Sequence, residues 1–257
     1  MLDSILERYA KLDGVEAVAL GGSSAVKTSD KSSDIDIYVF VRKDIPLDIR
    51  EQLVKDISSK YEVGGEYFGP GDEYYVDDLG CQLDIMYWNV NWFEDVVNNV
   101  WFKHYPSNGY TTCFLYTLRN FNIFYDRADW LKNLQERINT PYPKELRQNI
   151  IKRNMMLMKE KPFASYYEQI QKAVQRDDIV SVNHRIAAFL ASYFDVIFAV
   201  NEMLHPGEKR LINYVKTNCK IIPENFEDNI GKLLTSDYKE VLPILDDMFQ
   251  NLVILLR

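Results

Sequence analysis

The strongest constraint on the fold is the segment DIDIYVFV, in which two acidic residues stand at the start of an apolar run. The run is rich in β-branched and aromatic residues, as buried strands are. Side chains alternate across a strand, so Asp34 and Asp36 share one face while Ile35 and Ile37 face the core. Like charges about 7 Å apart on one face repel each other unless a cation binds both. The segment therefore predicts a core strand with a metal-binding pair, and a strand start with two solvated acids is the alternative.

A second strand-like segment, CQLDIMYW, carries an acid in the same setting. Asp84 stands between Leu83 and Ile85, so its side chain points away from the face that these two bury. If this strand lies beside the first, Asp84 joins Asp34 and Asp36 on one surface. Three carboxylates with open oxygen positions are typical of a Mg²⁺ site that binds a phosphate chain, and two ions about 3.5–4 Å apart would clamp a phosphoryl displacement. An acid on an edge strand is the alternative.

A glycine–serine turn precedes the acids. The apolar run VEAVAL ends in Gly21, Gly22, Ser23 and Ser24, about ten residues before Asp34. Glycine leaves backbone amides uncovered, serine adds hydroxyl donors, and a helix that begins at such a turn favours anionic oxygen at its N-terminus. We therefore expect Gly22, Ser23 and Ser24 to bind the phosphates of a nucleotide, and an ordinary turn is the alternative.

The order of these elements resembles the DNA polymerase β-like nucleotidyltransferase superfamily. Its pattern of a strand, Gly-Ser, Asp-x-Asp at the head of a strand and a third Asp on a later strand is present here as Gly22-Ser23, Asp34-Ile35-Asp36 and Asp84, within about residues 15–88. In layout the chain is similar to small bacterial antibiotic nucleotidyltransferases of the aminoglycoside and lincosamide type. The resemblance implies transfer of a nucleoside monophosphate, usually AMP, from an NTP to an acceptor hydroxyl, with release of pyrophosphate.

Roles follow for individual residues. Asp34, Asp36 and Asp84 would be the catalytic metal ligands, and Asp84 could also accept the proton of the acceptor hydroxyl. Lys209, in the segment NEMLHPGEKRL, could reach the triphosphate as second-domain bases do in two-domain transferases, although a structural role is the alternative. Sugar-nucleotide glycosyltransferases and haloacid-dehalogenase-like phosphatases also carry Asp-x-Asp, but there an apolar strand precedes the acids. Here the polar KTSDKSS precedes them, which argues against both families.

The chain divides into two parts by pattern. Strand signals stop after FNIFYD, and from Trp130 onward the pattern is almost entirely helical. We therefore predict an α+β protein with a nucleotidyltransferase domain at residues 1–140, built on a mixed sheet with flanking helices. An all-helical bundle at residues 141–257 follows.

Charge is distributed unevenly. Residues 1–140 carry 14 basic and 23 acidic residues, residues 141–257 carry 16 and 15, and no basic residue but nine acids lie between Lys60 and Lys103. Such a surface repels phosphate backbones, which disfavours nucleic acid as a partner and suits metal ions or a cationic small molecule. Acids mixed with aromatic residues can bind amines. One hypothesis is that an acceptor site is flanked by Glu66, Asp72, Glu73, Asp77 and Asp78; surface acids and core aromatics are the alternative.

Three scattered cysteines predict neither a disulfide framework nor a zinc site, which favours a reducing, cytosolic setting. The segment MLDSILERYAKL shows no secretory signal. The apolar stretch 186–204 is interrupted by Asp195, Asn201 and Glu202, so it predicts a buried helix instead of a membrane span. Monomer and homodimer remain open. Two rival functions also remain: a protein- or RNA-modifying nucleotidyltransferase of a toxin–antitoxin pair, and a non-catalytic nucleotide-sensing module.

Overall fold

The computed structural model describes residues 1–22, 34–67, 69–161 and 163–257. It forms two compact units, the first made of Met1–Asn98 with Thr117–Thr140 and the second of Asn99–Tyr116 with Pro141–Arg257. The predicted α+β class, a mixed sheet with helices followed by a helical region, is confirmed. The chain passes into the second unit after Thr140, where the sequence predicts a boundary, but Asn99–Tyr116 also belongs to that unit. No sequence signal indicates this excursion.

The first unit is built on one mixed sheet. Its strands in the described residues are β1 (Val15–Leu20), β2 (Ile35–Val41), β3 (Tyr61–Gly65), β4 (Gly71–Val76), β5 (Cys81–Asn89) and β6 (Asn122–Asp126). Their order across the sheet is β3-β4-β5-β2-β1-β6. The central pair β2 and β5 is parallel and all other neighbours are antiparallel. A parallel neighbour needs a long crossover connection, and the segment between β2 and β5 supplies it.

Among the described residues, the α-helices of this unit are α1 (Leu2–Ala10), α2 (Leu47–Lys55), α3 (Val90–Val97) and α5 (Trp130–Ile138), and α4 (Cys113–Asn120) begins in the second unit and ends in the first. Local signals explain two of their starts. Pro46 directly precedes α2, where a fixed φ suits the first turn. The Asn89 side chain accepts hydrogen bonds from the backbone amides of Asn91 and Trp92 and so caps α3.

The two faces of the sheet are covered differently. On one face Ile37 of β2 and Ile85 of β5 pack in a core that α1 and α2 also enter. On the other face an aromatic cluster covers the carboxyl ends of β2 and β5, where the Phe40 ring lies 5.2 Å from the rings of Phe93 and Trp130. Asp36 and Asp84 stand on this second face, two or more residues before the aromatic cluster, and are only half-buried. Among the described residues, the end of the second face that carries Asp36 and Asp84, called the open end, is less covered than the aromatic end.

The second unit is helical. Its helices are α6 (Lys144–Met155), α7 (Tyr166–Gln175), α8 (Ile179–Val200), α9 (Leu211–Asn218), α10 (Phe226–Thr235) and α11 (Val241–Leu255). The long helix α8 runs through the middle of its core, where Phe189, Tyr193 and Ile197 are buried. This confirms the buried helix predicted from the apolar stretch. Among the described residues, no helix combines the length and the apolarity that a bilayer crossing requires.

A buried polar network ties Asn99–Tyr116 to the rest of the second unit. The Asp195 carboxylate of α8 is 1% exposed and accepts hydrogen bonds from the backbone amide and hydroxyl of Thr111 and from the Asn154 amide. Burial raises the pKa of Asp195 to about 6, and these hydrogen bonds act in the opposite direction. Asp195 is therefore a structural residue of this unit.

Candidate active site

Two of the predicted metal ligands are direct neighbours in the sheet. Asp36 of β2 and Asp84 of β5 are register partners in the parallel pair, on strands about 4.8 Å apart. Ile37 and Leu83 beside them are fully buried on the opposite face, so alternation directs both carboxylates to the open end of the second face. The structure thus brings together two acids that lie 48 positions apart in the sequence.

Gly22 lies against this pair. Its φ is +59°, and a Cβ there would come within 1.7 Å of Asp36 Oδ2. The preceding residue, Gly21, donates its backbone N–H to the Asp36 carbonyl at 3.0 Å. A side chain at position 22 would therefore be excluded both by backbone strain and by the Asp36 carboxylate. This places the predicted phosphate-binding turn beside the predicted metal pair. Ser23 and Ser24 lie outside the described residues.

Asp34 stands immediately before β2 and is exposed. It is close enough to Glu73 to act on it electrostatically. The pKa of Glu73 is raised first by partial loss of solvent and then by the charges of Asp84, Glu62 and Asp34. The open end of this face is therefore crowded with negative charge.

Strand pairing extends the acids into a row. Glu73 of β4 is the register partner of Asp84, and Glu62 of β3 is the register partner of Glu73. The acidic row, defined as Asp36, Asp84, Glu73 and Glu62, crosses four adjacent strands at one level. Glu62 was not singled out from the sequence, because its place in the row depends on the pairing of β3 with β4. Like charges at adjacent positions destabilise a sheet, and a bound cation would relieve this repulsion.

Gln82 is a site residue that sequence reasoning missed. It precedes Asp84 by two positions in β5 and so shares its face. Its amide Nε2 donates to Asp84 Oδ1 at 2.8 Å and makes a longer contact of 3.4 Å with Glu73 Oε2. No motif marks this residue; only the i, i+2 spacing from Asp84 could have suggested it.

Within the described ranges, no three or more His, Cys, Asp or Glu side chains are grouped closely enough to hold one metal ion. Asp36 and Asp84 are adjacent register partners, and Asp34 directly precedes β2. The chemistry of the set nevertheless suits a hard divalent cation, because every donor is a carboxylate oxygen. The three-ligand assignment stays a prediction.

Asp72 is not part of this face, and the hypothesis that it flanks an acceptor is wrong. It is 1% exposed and alternates to the face opposite Glu73. There it is ion-paired with the guanidinium of Arg50 and accepts hydrogen bonds from the Tyr87 hydroxyl at 2.7 Å and the Gly64 amide at 2.9 Å. Its carboxylate is therefore fully used within the fold.

The remaining predicted residues are placed as follows. Glu66 is exposed after β3, and Asp77 and Asp78 are exposed in the turn between β4 and β5, so their role stays a prediction. Lys209 is exposed in the second unit, two residues before α9.

Two family models match parts of the chain. Residues 2–101 match the family model described as "Nucleotidyltransferase domain", and residues 110–211 match "Domain of unknown function (DUF4037)". The first match agrees with the resemblance seen in the sequence and includes Gly22, Asp34, Asp36 and Asp84. The sequence matches no curated protein.

Two solved structures are similar to the chain. One is a nucleotidyltransferase-like protein from Exiguobacterium sibiricum 255-15, with a TM-score of 0.48 and 10% identity over 98% of this chain and 73% of the other. The second is spectinomycin adenyltransferase AAD(9) from Enterococcus faecialis with ATP and spectinomycin, with a TM-score of 0.29 and 14% identity over 98% and 96%. Because both TM-scores are below 0.5, neither likeness supports a conclusion about this chain.

Proposed function

We propose that this chain, whose residues 2–101 match the family model of a nucleotidyltransferase domain, is an enzyme of that type, and we propose its reaction. It transfers a nucleoside monophosphate, with AMP expected, from an NTP to a hydroxyl of a small cationic acceptor such as an aminoglycoside-like antibiotic. The observation that carries the proposal is the pairing of Asp36 with Asp84 on parallel strands, with Gly22 against Asp36.

Mg²⁺ is the proposed cofactor, with two ions expected. Asp34, Asp36 and Asp84 would hold it, since they supply only the oxygen ligands that this cation prefers. When bound, the metal neutralises negative charge on the triphosphate and on the displaced oxygens. Ser23, Ser24 and the backbone at Gly22 would bind phosphate oxygens, and Lys209 stays the predicted basic residue for the triphosphate.

The proposed reaction is a single in-line displacement. The acceptor oxygen forms a bond to the α-phosphorus, the bond from that phosphorus to the oxygen bridging to the β-phosphorus breaks, and pyrophosphate leaves. Asp84 would take the hydroxyl proton. The protein contributes mainly position and charge, because the chain holds the carboxylates on two central strands, where the sheet limits their movement.

The proposed acceptor is cationic because the acidic row continues beyond the metal pair. Glu73 and Glu62 lie one and two strands away from Asp84 and are exposed. An amine-bearing acceptor would be attracted to this surface, whereas a nucleic acid would be repelled. We further propose a cytosolic monomer or homodimer with no membrane partner.

Thermal unfolding with each NTP, with and without Mg²⁺, tests the proposal on wild type and Asp36→Asn. A nucleotide at about 100 times its Kd raises the free energy of unfolding by about 2.7 kcal/mol. We expect one NTP, ATP first, to stabilise the wild type only with Mg²⁺, and we expect Asp36→Asn to lose this response. Asp48→Asn, the same change at an exposed position on α2, is the matched control and should respond like wild type.

Absence of any nucleotide-dependent shift in the wild type would contradict the proposal. A full Mg²⁺-dependent response in Asp36→Asn would contradict the assignment of the metal ligands. If a response is found, transfer from radiolabelled NTP to amino sugars and then to protein and RNA acceptors identifies the acceptor class.

A further inference from the structure

Among the described residues, Gln82 is a neutral hydrogen-bond donor that lies between the acids of the site, and we propose that it is a positioning residue for Asp84. Through its amide it holds one oxygen of the Asp84 carboxylate so that the other faces the metal and the acceptor hydroxyl. The proposal rests on the proposed function of the site.

The geometry gives Gln82 this role. Nε2 carries two hydrogens, of which one is donated to Asp84 Oδ1 at 2.8 Å while the other faces Glu73 Oε2 at 3.4 Å. Both acceptors are exposed or half-buried, and Gln82 itself is half-buried between them. This hydrogen bond uses Oδ1 of Asp84, and the proposal assigns Oδ2 to the ligand. A carboxylate held at one oxygen has a fixed plane, which the reaction requires.

The neutrality of Gln82 is as important as its reach. A lysine or arginine at this position would also donate to Asp84, but it would form an ion pair with the acidic row and compete with the divalent cation. A glutamate would add a further like charge beside Asp84 and Glu73. An amide orients the carboxylate and leaves its charge available to the metal.

Gln82→Met is the first test, because methionine has a similar length and lacks the donor. Loss of a hydrogen bond to a metal-binding carboxylate lowers metal affinity or activity by about 10- to 100-fold. We expect kcat to fall by at least about tenfold with KM for the NTP changed less than about threefold. Gln52→Met, the same change at an exposed position of α2, is the matched control and should leave both unchanged.

The second readout does not need turnover. Binding of Mn²⁺ alone is measured from the electron paramagnetic resonance signal of the free ion. We expect Gln82→Met to weaken Mn²⁺ binding by about tenfold and Gln82→Lys to weaken it more, because the ammonium group occupies the same carboxylates. The thermal unfolding midpoints of these variants show whether an effect comes from lost positioning or from loss of the fold. If Gln82→Met unfolds, Gln82→Asn replaces it, because asparagine keeps the amide but is one methylene too short to reach.

The outcomes separate this proposal from the proposed function. Wild-type kcat and Mn²⁺ affinity in folded Gln82→Met overturn the role of Gln82 and leave the reaction intact. Mn²⁺ binding that depends on Gln82 in a protein without any transfer activity supports the role and overturns the reaction. If the wild type shows neither Mn²⁺ binding nor transfer, both the role of Gln82 and the proposed reaction are overturned. Gln82→Lys that matches the wild type overturns the argument from neutrality.

Discussion

The buried ion pair between Arg50 and Asp72 gives a stability prediction that can be worked from the structure. Asp72 is 1% exposed and Arg50 is 7% exposed, so replacing Arg50 by Met leaves a carboxylate without its counter-charge inside the first unit. Breaking one side of a buried pair costs about 3–5 kcal/mol. Asp72 keeps its hydrogen bonds from Tyr87 and Gly64, and methionine keeps part of the packing over the Tyr87 ring, where the guanidinium lies 4.3 Å from the centroid. We therefore expect a loss near the lower limit, about 3 kcal/mol.

Urea unfolding followed by tryptophan fluorescence measures this loss. Trp88, Trp92 and Trp130 lie in the first unit, so the signal reports mainly on it. Lys55→Met is the matched control, since Lys55 lies on the same helix and is ion-paired with Glu51 at the surface. An exposed pair contributes at most about 1 kcal/mol, so the control should unfold close to wild type.

A double variant tests the cause. Arg50→Met with Asp72→Asn removes the uncompensated charge but keeps an oxygen acceptor for the Tyr87 hydroxyl, so it should be more stable than Arg50→Met alone. The reasoning is refuted if Arg50→Met is no less stable than Lys55→Met. It is also refuted if the second substitution recovers nothing, because the loss would then come from packing and not from charge.

Two further predictions concern the two units. Gly22→Ala should lower the free energy of unfolding by about 1–2 kcal/mol, because alanine resists a positive φ. It should also abolish the Mg²⁺-dependent stabilisation by nucleotide, because the new Cβ would displace the Asp36 carboxylate. A variant that nucleotide stabilises as much as the wild type contradicts this. Burial raises the pKa of Asp195 to about 6, above its unfolded value of about 4, so the proton is held more tightly in the folded state. The contribution of Asp195 to the free energy of unfolding should therefore fall by about 3 kcal/mol as pH rises from 4 to 6. Urea melts between pH 4 and 7 measure this pH dependence, and Asp195→Asn should remove it. Equal pH dependence in the wild type and in Asp195→Asn contradicts the prediction.

The sequence by itself determined the local elements and indicated the main candidate site residues. The strands containing Asp36 and Asp84, the helix after Pro46 and the buried helix α8 follow from patterns within a few residues of each other. The Asp-x-Asp pattern and the glycine turn also predicted the domain type that the family match confirms. These features are local because a motif and a hydrophobic period are both encoded by neighbouring positions.

The tertiary structure decided which of the acids lie beside one another. Alternation in GDEYYV places Asp72 and Glu73 on opposite faces, but only the pairing of β4 with β5 shows that Glu73 faces Asp84 and that Asp72 meets Arg50. The sequence hypothesis treated the two acids alike, because composition carries no information about faces. Gln82 became visible for a related reason: its hydrogen bond to Asp84 lies within β5, but its longer contact with Glu73 depends on the pairing of β4 with β5.

The division into two units also depends in part on contacts that the sequence does not indicate. The boundary after Thr140 follows a change of pattern from strands to helices, which can be read along the chain. The assignment of Asn99–Tyr116 to the second unit depends on contacts such as that between Thr111 and Asp195, which are 84 residues apart. Sequence patterns specify what each segment forms on its own, whereas contacts between distant segments depend on packing that only the folded chain defines.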